Sequence, residues 1–135
     1  MKSYRPEHLS RTAGLLILCL FTTFMAPAQV ADQIKAALEV GDAAALVPLM
    51  DREVELIIDG NEDFYSPAKA REQLAKFFHD NGPTGFQIMH QGSSGKNASY
   101  LIGNLKAGSG SFRVYVFLSQ AVTGQKIQQL KISRE

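Results

Sequence analysis

The sequence predicts an α+β domain in which helices come first and a run of antiparallel strands follows. Apolar residues recur with the helical period at Val30, Ile34 and Leu38, whereas from Phe86 onward they alternate with the period of two that is typical of strands. Short turn-forming clusters separate the later strands and are suited to hairpins. The 135 residues allow one domain, and 45% hydrophobic residues are enough for a globular core. The predicted order of elements is α-α-β-α-β-β-β-β.

Two helices are predicted near the start of this domain. The apolar stripe covers residues 30–40, and Gly41 is suited to end that helix. Asp42 is a favourable N-cap for a second helix that reaches Leu49. Pro48 would remove a hydrogen bond inside the second helix, so we expect it to be short or partly 3₁₀.

The first strand and the third helix come next. Alternating apolar positions over residues 54–58 predict a strand that ends at the Asp59-Gly60-Asn61 turn. Ser66-Pro67 is typical of an N-cap followed by the first helical position, and Gly82-Pro83 is typical of a helix end. The apolar stripe of this third helix consists of Ala70, Leu74, Phe77 and Phe78.

Four further strands complete the predicted fold. The first of them begins at Phe86, and the others span residues 100–105, 112–118 and 127–132. The turns between them are Gly92-Ser93-Ser94-Gly95, Gly108-Ser109-Gly110-Ser111 and Thr123-Gly124. These short connections predict an antiparallel meander.

Residues 1–28 are predicted to be a cleaved signal peptide. A positively charged start precedes an apolar core from Ala13 to Met25, and Ala26-Pro27-Ala28 supplies the small residues that a signal peptidase requires. The core is shorter than the roughly 20 apolar residues of a membrane-spanning helix. Leu18 before Cys19 does not fit a lipoprotein signal. We therefore expect cleavage after Ala28, a single domain over residues 29–135, a periplasmic or extracellular location, and no stable membrane insertion after cleavage.

The near-neutral charge and the lack of a His/Cys cluster argue against several functions. The predicted signal peptide contains three basic residues and one acidic residue, so 11 basic and 12 acidic residues remain in the domain after cleavage. This near-neutral balance argues against nucleic-acid binding, which depends on neutralising phosphates. The single cysteine lies in the leader, so the exported domain has no disulfide. The sequence has no His/Cys cluster with metal-ligand spacing, and we expect neither a metal nor a cofactor.

Several short stretches carry a resemblance to known domains. They are Phe77-Phe78, His90-Gln91-Gly92-Ser93, Tyr100-Leu101-Ile102-Gly103, Phe112-Arg113-Val114-Tyr115 and Ile127-Gln128-Gln129-Leu130. These stretches resemble the bacterial domain of unknown function 4783 (DUF4783) family. Gly41-Asp42 and the Val54-Glu55-Leu56 strand resemble the opening of nuclear transport factor 2-like (cystatin-like) domains. The resemblance implies a bent antiparallel sheet that wraps around helices and leaves a conical cavity. It implies no single activity, because this superfamily includes isomerases, dehydratases and binding modules.

The same resemblance implies a ligand cavity between the concave face of the sheet and the first and third helices. Polar side chains on otherwise apolar strand faces are the candidates to orient a ligand there. His90 is expected to share a face with Phe86 and Ile88, either as a buried histidine or as a ligand contact. An arginine on such a face suits a carboxylate, and its alternatives are a structural ion pair or a stem packed along the sheet. The candidates are His90, Tyr100, Arg113 and Tyr115.

The strand over residues 112–118 is largely apolar on both faces. Phe112 and Val114 alternate with Tyr115 and Phe117. A sheet that helices cover on one side normally has a polar second face. The second face therefore meets a partner or lines a cavity, and we predict a homodimer that packs through the convex face.

Three functions remain open. The preferred hypothesis is an exported, non-catalytic domain that binds a partner or a small apolar or carboxylate ligand. The alternative is an isomerase- or dehydratase-like enzyme in which His90 acts with Asp59 or Tyr100 in acid–base catalysis. The third is a purely structural interaction domain. The last four predicted strands contain no carboxylate before Glu135, which favours binding over catalysis.

Overall fold

The computed structural model describes residues 27–135, so the predicted signal peptide lies outside the described residues except for its last two positions. The helices are α1 (Pro27–Val40), α2 (Ala43–Leu46) and α3 (Pro67–Asn81), and a 3₁₀ turn spans Val47–Leu49. The strands are β1 (Met50–Ile58), β2 (Asn61–Tyr65), β3 (Pro83–Ser93), β4 (Ala98–Ala107), β5 (Gly110–Ala121) and β6 (Gly124–Arg134). None of the helices in this range is long and apolar enough to cross a membrane.

The α+β class and the predicted order of elements are confirmed, and the structure adds strand β2. This strand pairs antiparallel with β1 after the turn at Asp59 and Gly60. Four of its five residues are exposed because it lies at the edge of the sheet. An edge strand that buries so little has no alternating apolar pattern, and for that reason the sequence does not reveal it.

The predicted helix boundaries are confirmed by their capping interactions. Asp42 Oδ1 accepts a hydrogen bond from the amide of Ala45 at 3.1 Å, which caps α2. Ser66 caps α3 through the amide of Lys69. Gly82 ends α3 with a φ of 62°, in the left-handed region that glycine adopts without a Cβ clash.

The six strands form one sheet in the order β2-β1-β6-β5-β4-β3. All neighbouring strands are antiparallel except β1 and β6, which are parallel. The predicted antiparallel meander is confirmed, and β1 beside β6 is the one parallel pair among the described strands. The last strand of the meander returns to lie beside the first strand, and a parallel pair of this kind requires a long connection.

The helices cover one face of the sheet, and the core lies between the helices and that face. Phe112 is fully buried there and contacts Phe77 of α3 edge to face, with ring centroids 5.0 Å apart. Inward-facing strand residues such as Val114 and Leu130 belong to the same core. No described element packs on the other side of the sheet, which we call the open face. Its side chains include Glu55, Tyr100, Ile102, Tyr115, Phe117 and Gln129.

Candidate functional site

All four candidate residues lie on the open face. Tyr115 and Arg113 alternate with the buried residues Phe112 and Val114 along β5. Tyr100 lies directly opposite Phe117, again away from the core. The expectation that these side chains line a cavity beneath the helices is therefore wrong. The positions that face the helices on β4 and β5 are occupied by core residues: Leu101, Leu105, Phe112, Val114, Val116 and Leu118.

His90 reaches the open face because β3 contains a bulge. Ile88 pairs with Gly103, but His90 pairs with Ile102, so Met89 is an extra residue on this strand. The predicted alternation places His90 on the face of Phe86 and Ile88, and this prediction is wrong. A single extra residue reverses the direction of every later side chain on a strand.

His90, Tyr100 and Tyr115 form a continuous cluster, which we call the aromatic row. The hydroxyl of Tyr100 is hydrogen-bonded to Nε2 of His90 at 2.8 Å. The rings of Tyr100 and Tyr115 are stacked, with centroids 6.5 Å apart and planes inclined by 17°. The Tyr100 ring lies so close to Gly92 that a Cβ added there would be 3.0 Å from the Tyr100 hydroxyl oxygen. Gly92 and His90 together fix the position of Tyr100.

Arg113 lies apart from the aromatic row in an ion pair. Its Nε and Nη2 donate to one carboxylate oxygen of Glu135 at 3.1 and 2.8 Å. Asn104 donates to the other oxygen of the same carboxylate at 2.9 Å. This arrangement matches the structural ion pair that was the alternative interpretation of Arg113.

A group of polar residues on the β1–β2 side of the open face is not predictable from the sequence pattern. Gln129 donates to Glu55 at 2.8 Å, and Glu55 in turn hydrogen-bonds to Glu62. The bond to Glu62, with a smaller contribution from Gln129, lowers the pKa of Glu55. The pKa of Glu62 is raised by the same hydrogen bond and by repulsion from the Glu55 charge. The two carboxyl groups meet only because β2 pairs with β1, and the sequence does not predict β2.

Glu55 and Gln129 border a shallow cavity of 590 Å³ on the open face. Phe64, Tyr115 and Phe117 provide its aromatic walls. Its remaining lining residues are Asp51, Arg52, Glu53, Glu55, Gln128 and Gln129. The open face thus combines aromatic side chains near its centre with charged and amide groups at its border.

The three residues considered for acid–base catalysis, His90, Tyr100 and Asp59, do not meet in one closed pocket. His90 is exposed and Tyr100 is only half-buried, whereas a catalytic pair of this kind works best in a pocket from which water is excluded. Asp59 accepts a hydrogen bond from the amide of Arg134 at 3.2 Å and lines a different cavity, beside α3. Within residues 27–135, no group of three or more His, Cys, Asp or Glu side chains is arranged to hold a metal ion.

The family follows from a comparison of the chain with known protein families. The family model described as domain of unknown function (DUF4783) matches residues 31–133. The chain belongs to the DUF4783 family. The match covers nearly the whole described region, so α1 through β6 form one DUF4783 domain. A comparison with curated proteins finds no significant match.

Solved structures agree with this DUF4783 assignment. A DUF4783 protein from Bacteroides ovatus is 29% identical, with a TM-score of 0.73 over 76% of this chain and 93% of that one. An NTF-2 like protein of unknown function from Silicibacter pomeroyi is 12% identical, with a TM-score of 0.59 over 80% of this chain and 92% of that one. A domain of unknown function with a cystatin-like fold from Nostoc punctiforme is 10% identical, with a TM-score of 0.63 over 78% and 73%. The last two comparisons establish the nuclear transport factor 2-like fold alone.

Proposed function

We propose that this DUF4783 protein is an exported, non-catalytic binding domain whose open face binds a second copy of the chain. The observation that carries the proposal is the group of Tyr100, Ile102, Tyr115 and Phe117, which is half-buried on a sheet face that no described element covers. His90 completes the aromatic row as an exposed residue on the edge strand β3. Aromatic side chains are enriched at the centres of protein interfaces.

The border of the open face also suits an interface. Charged and amide groups surround the central aromatic and aliphatic side chains, as in the polar rim of many interfaces. In a two-fold homodimer the same patch meets itself, so the apolar centre of one copy packs on the apolar centre of the other. A stable interface of this kind buries on the order of 800 Å² per partner.

The chain from Gln29 to Glu135 is a suitable unit for testing this proposal. The alignment covers 93% of the Bacteroides ovatus DUF4783 protein and 76% of this chain. That relative is therefore folded although it contains little beyond the aligned residues. Light scattering of residues 29–135 at micromolar concentration is expected to give twice the monomer mass. Phe117→Asp is expected to give a monomer, because it places a carboxylate at the centre of the apolar patch.

Gln73→Asp on the exposed side of α3 is the matched control, since it introduces the same charge on the helical side of the molecule. It should remain a dimer. Circular dichroism of both variants checks that the domain is folded. A monomeric wild-type protein, or a folded Phe117→Asp variant that is still dimeric, would contradict the proposed interface.

A further inference from the structure

A second cavity lies on the helical side of the molecule, away from the open face. It has a volume of 480 Å³ and is enclosed by α1, α2 with its following 3₁₀ turn, and the turn between β5 and β6. None of the aromatic-row residues lines it. Its lining residues are Val30, Gln33, Ala36, Ala37, Asp42, Ala45, Pro48, Leu49, Thr123, Gly124, Gln125 and Lys126. The proposed dimer leaves this cavity free, so its function is a separate question.

Gln125 carries an unsatisfied hydrogen-bond acceptor in the wall of this cavity. Its Oε1 atom is buried and has no hydrogen-bond partner within residues 27–135. A buried carbonyl without a donor is destabilising, and such groups are uncommon in native proteins. Gln125 also lines the neighbouring cavity beside the β3–β4 turn, but its Oε1 atom is closed off from both spaces in this structure. The terminal amide torsion is soft, which allows the oxygen to turn toward either.

The cavity also contains one positive and one negative side chain that do not form an ion pair with each other. Lys126 donates one hydrogen bond to the carbonyl of Pro48 at 2.7 Å, and its ammonium group has three N–H donors. Asp42 uses one carboxylate oxygen to cap α2 and has a second oxygen. The ion pairs of the described residues include neither side chain. A ligand with a single charge would be attracted by one of these groups and repelled by the other.

The remaining wall is mostly apolar and is made of small residues. Ala36 and Ala45 are exposed on facing helices, and Pro48 and Leu49 extend the same surface. Small side chains on neighbouring elements leave room for a compact apolar group.

We propose that this cavity binds a zwitterionic ligand with an apolar side chain, namely a free amino acid or a short peptide. Its carboxylate binds Lys126, its ammonium group binds Asp42, and an N–H of the ligand donates to Gln125. Its apolar side chain packs on the alanine wall. The two opposite charges, the unsatisfied acceptor and the apolar wall together select this chemistry.

The test measures binding of L-leucine and the dipeptide Ala-Leu to residues 29–135 by calorimetry and by thermal stabilisation. Leucinamide lacks the carboxylate, and 4-methylpentanoate lacks the ammonium group. Each of these two analogues is expected to bind at least about tenfold more weakly than leucine, because each loses one charge-assisted contact. Equal affinity for 4-methylpentanoate would overturn the zwitterion assignment, and failure of both leucine and the dipeptide to bind would overturn the site.

Matched variants locate the binding. Ala45→Leu fills the cavity from an exposed helix position and should reduce leucine affinity at least about tenfold. Ala44→Leu, exposed on the same short helix but absent from this lining, should leave the affinity unchanged. Equal effects of the two substitutions would place binding elsewhere.

Gln125→Leu separates a ligand contact from a structural role. It removes the unsatisfied carbonyl, so the unliganded domain should melt at the same or a higher temperature, while leucine affinity falls at least about tenfold. A lower melting temperature with unchanged leucine affinity would mean that the carbonyl accepts a hydrogen bond from an internal water or a neighbouring residue. That result would overturn its role in binding. Because none of the substituted residues belongs to the aromatic row or lines the cavity on the open face, the oligomeric state tests the proposed function independently.

Discussion

At the residue scale, the Glu55–Glu62 pair is the most specific electrostatic feature of the open face. Residues on adjacent strands bring the two carboxyl groups together, and Gln129 donates to Glu55 alone. Glu55 is thereby held in its charged form, and Glu62 retains a proton more readily than an ordinary glutamate. Lys131 partly offsets the repulsion on Glu62. When the pair holds one proton, the interaction favours that proton on Glu62 and the charge on Glu55.

Glu62→Gln is expected to stabilise the domain at neutral pH. The pKa of Glu62 is raised in the folded state, so its contribution to stability is fully present below its ordinary pKa and is lost as pH rises through the raised value. Glutamine keeps a donor toward Glu55 and carries no charge. The melting temperature should therefore exceed that of the wild type at pH 7 by at most about 3 °C, and the two should converge below about pH 4.

Glu53→Gln is the control for this prediction, because Glu53 is an exposed carboxylate on the same strand. Melting curves across pH 3 to 8 should show no comparable convergence for the control. A Glu62→Gln protein that is less stable than the wild type at pH 7 would show that the pair is not repulsive there.

At the element scale, the pairing of β3 with β4 depends on one glycine. The ring of Phe86, a core residue, lies directly over Gly103 of β4. A Cβ at Gly103 would lie 2.6 Å from Cε2 of Phe86 and 2.7 Å from the carbonyl oxygen of Gln87. Those distances are shorter than van der Waals contact, and both neighbours belong to the partner strand. The absent side chain of Gly103 is what allows Phe86 to enter the core.

Gly103→Ala is expected to destabilise the domain by about 2 kcal/mol, which lowers the melting temperature by roughly 10 °C. Gly85→Ala is the matched control on the same strand pair, since a Cβ at Gly85 meets no atom within 4 Å. The control should be neutral or stabilising by up to about 1 kcal/mol, because alanine restricts the unfolded chain. Thermal unfolding of both variants, followed by circular dichroism, checks this difference. Similar melting temperatures for the two would mean that β3 shifts to relieve the contact.

At the scale of the whole molecule, the fold places the aromatic row and the cavity beside α1 and α2 on different parts of the surface. The sheet buries one face under the helices, and the other face carries the aromatic row. The cavity beside α1 and α2 lies on the helical side. A dimer formed through the sheet would leave the ligand cavity open to solvent. The two proposals are therefore compatible in one protein.

Export is a prediction about the whole molecule. The apolar core from Ala13 to Met25 and the Ala26-Pro27-Ala28 motif predict cleavage after Ala28. Mass spectrometry of the protein recovered outside the cytoplasm should find Gln29 at the N-terminus. A matched variant with Ala28→Leu should accumulate with its leader attached, because the small residue before the cleavage site is lost. An uncleaved wild-type protein, or a lipid on Cys19, would contradict a soluble exported form.

The elements whose signals are local are predictable from the sequence. The period of apolar residues, the caps at Asp42 and Ser66, and the stop at Gly82 depend on neighbours within a few positions, and all of them are confirmed. The alternation of β5 likewise separated its core side from the side that carries Tyr115. These features follow from backbone geometry that the local sequence fixes.

The direction of the His90 side chain, the presence of β2 and the composition of the candidate sites depend on contacts between distant segments. The bulge at Met89 turns His90 toward Tyr100, and it is set by the pairing of β3 with β4. The carboxyl pair and the cavity around Gln125 join segments that are distant in the chain. Strand register and long-range packing arise from contacts between separate elements, and no local pattern in one strand specifies its partner.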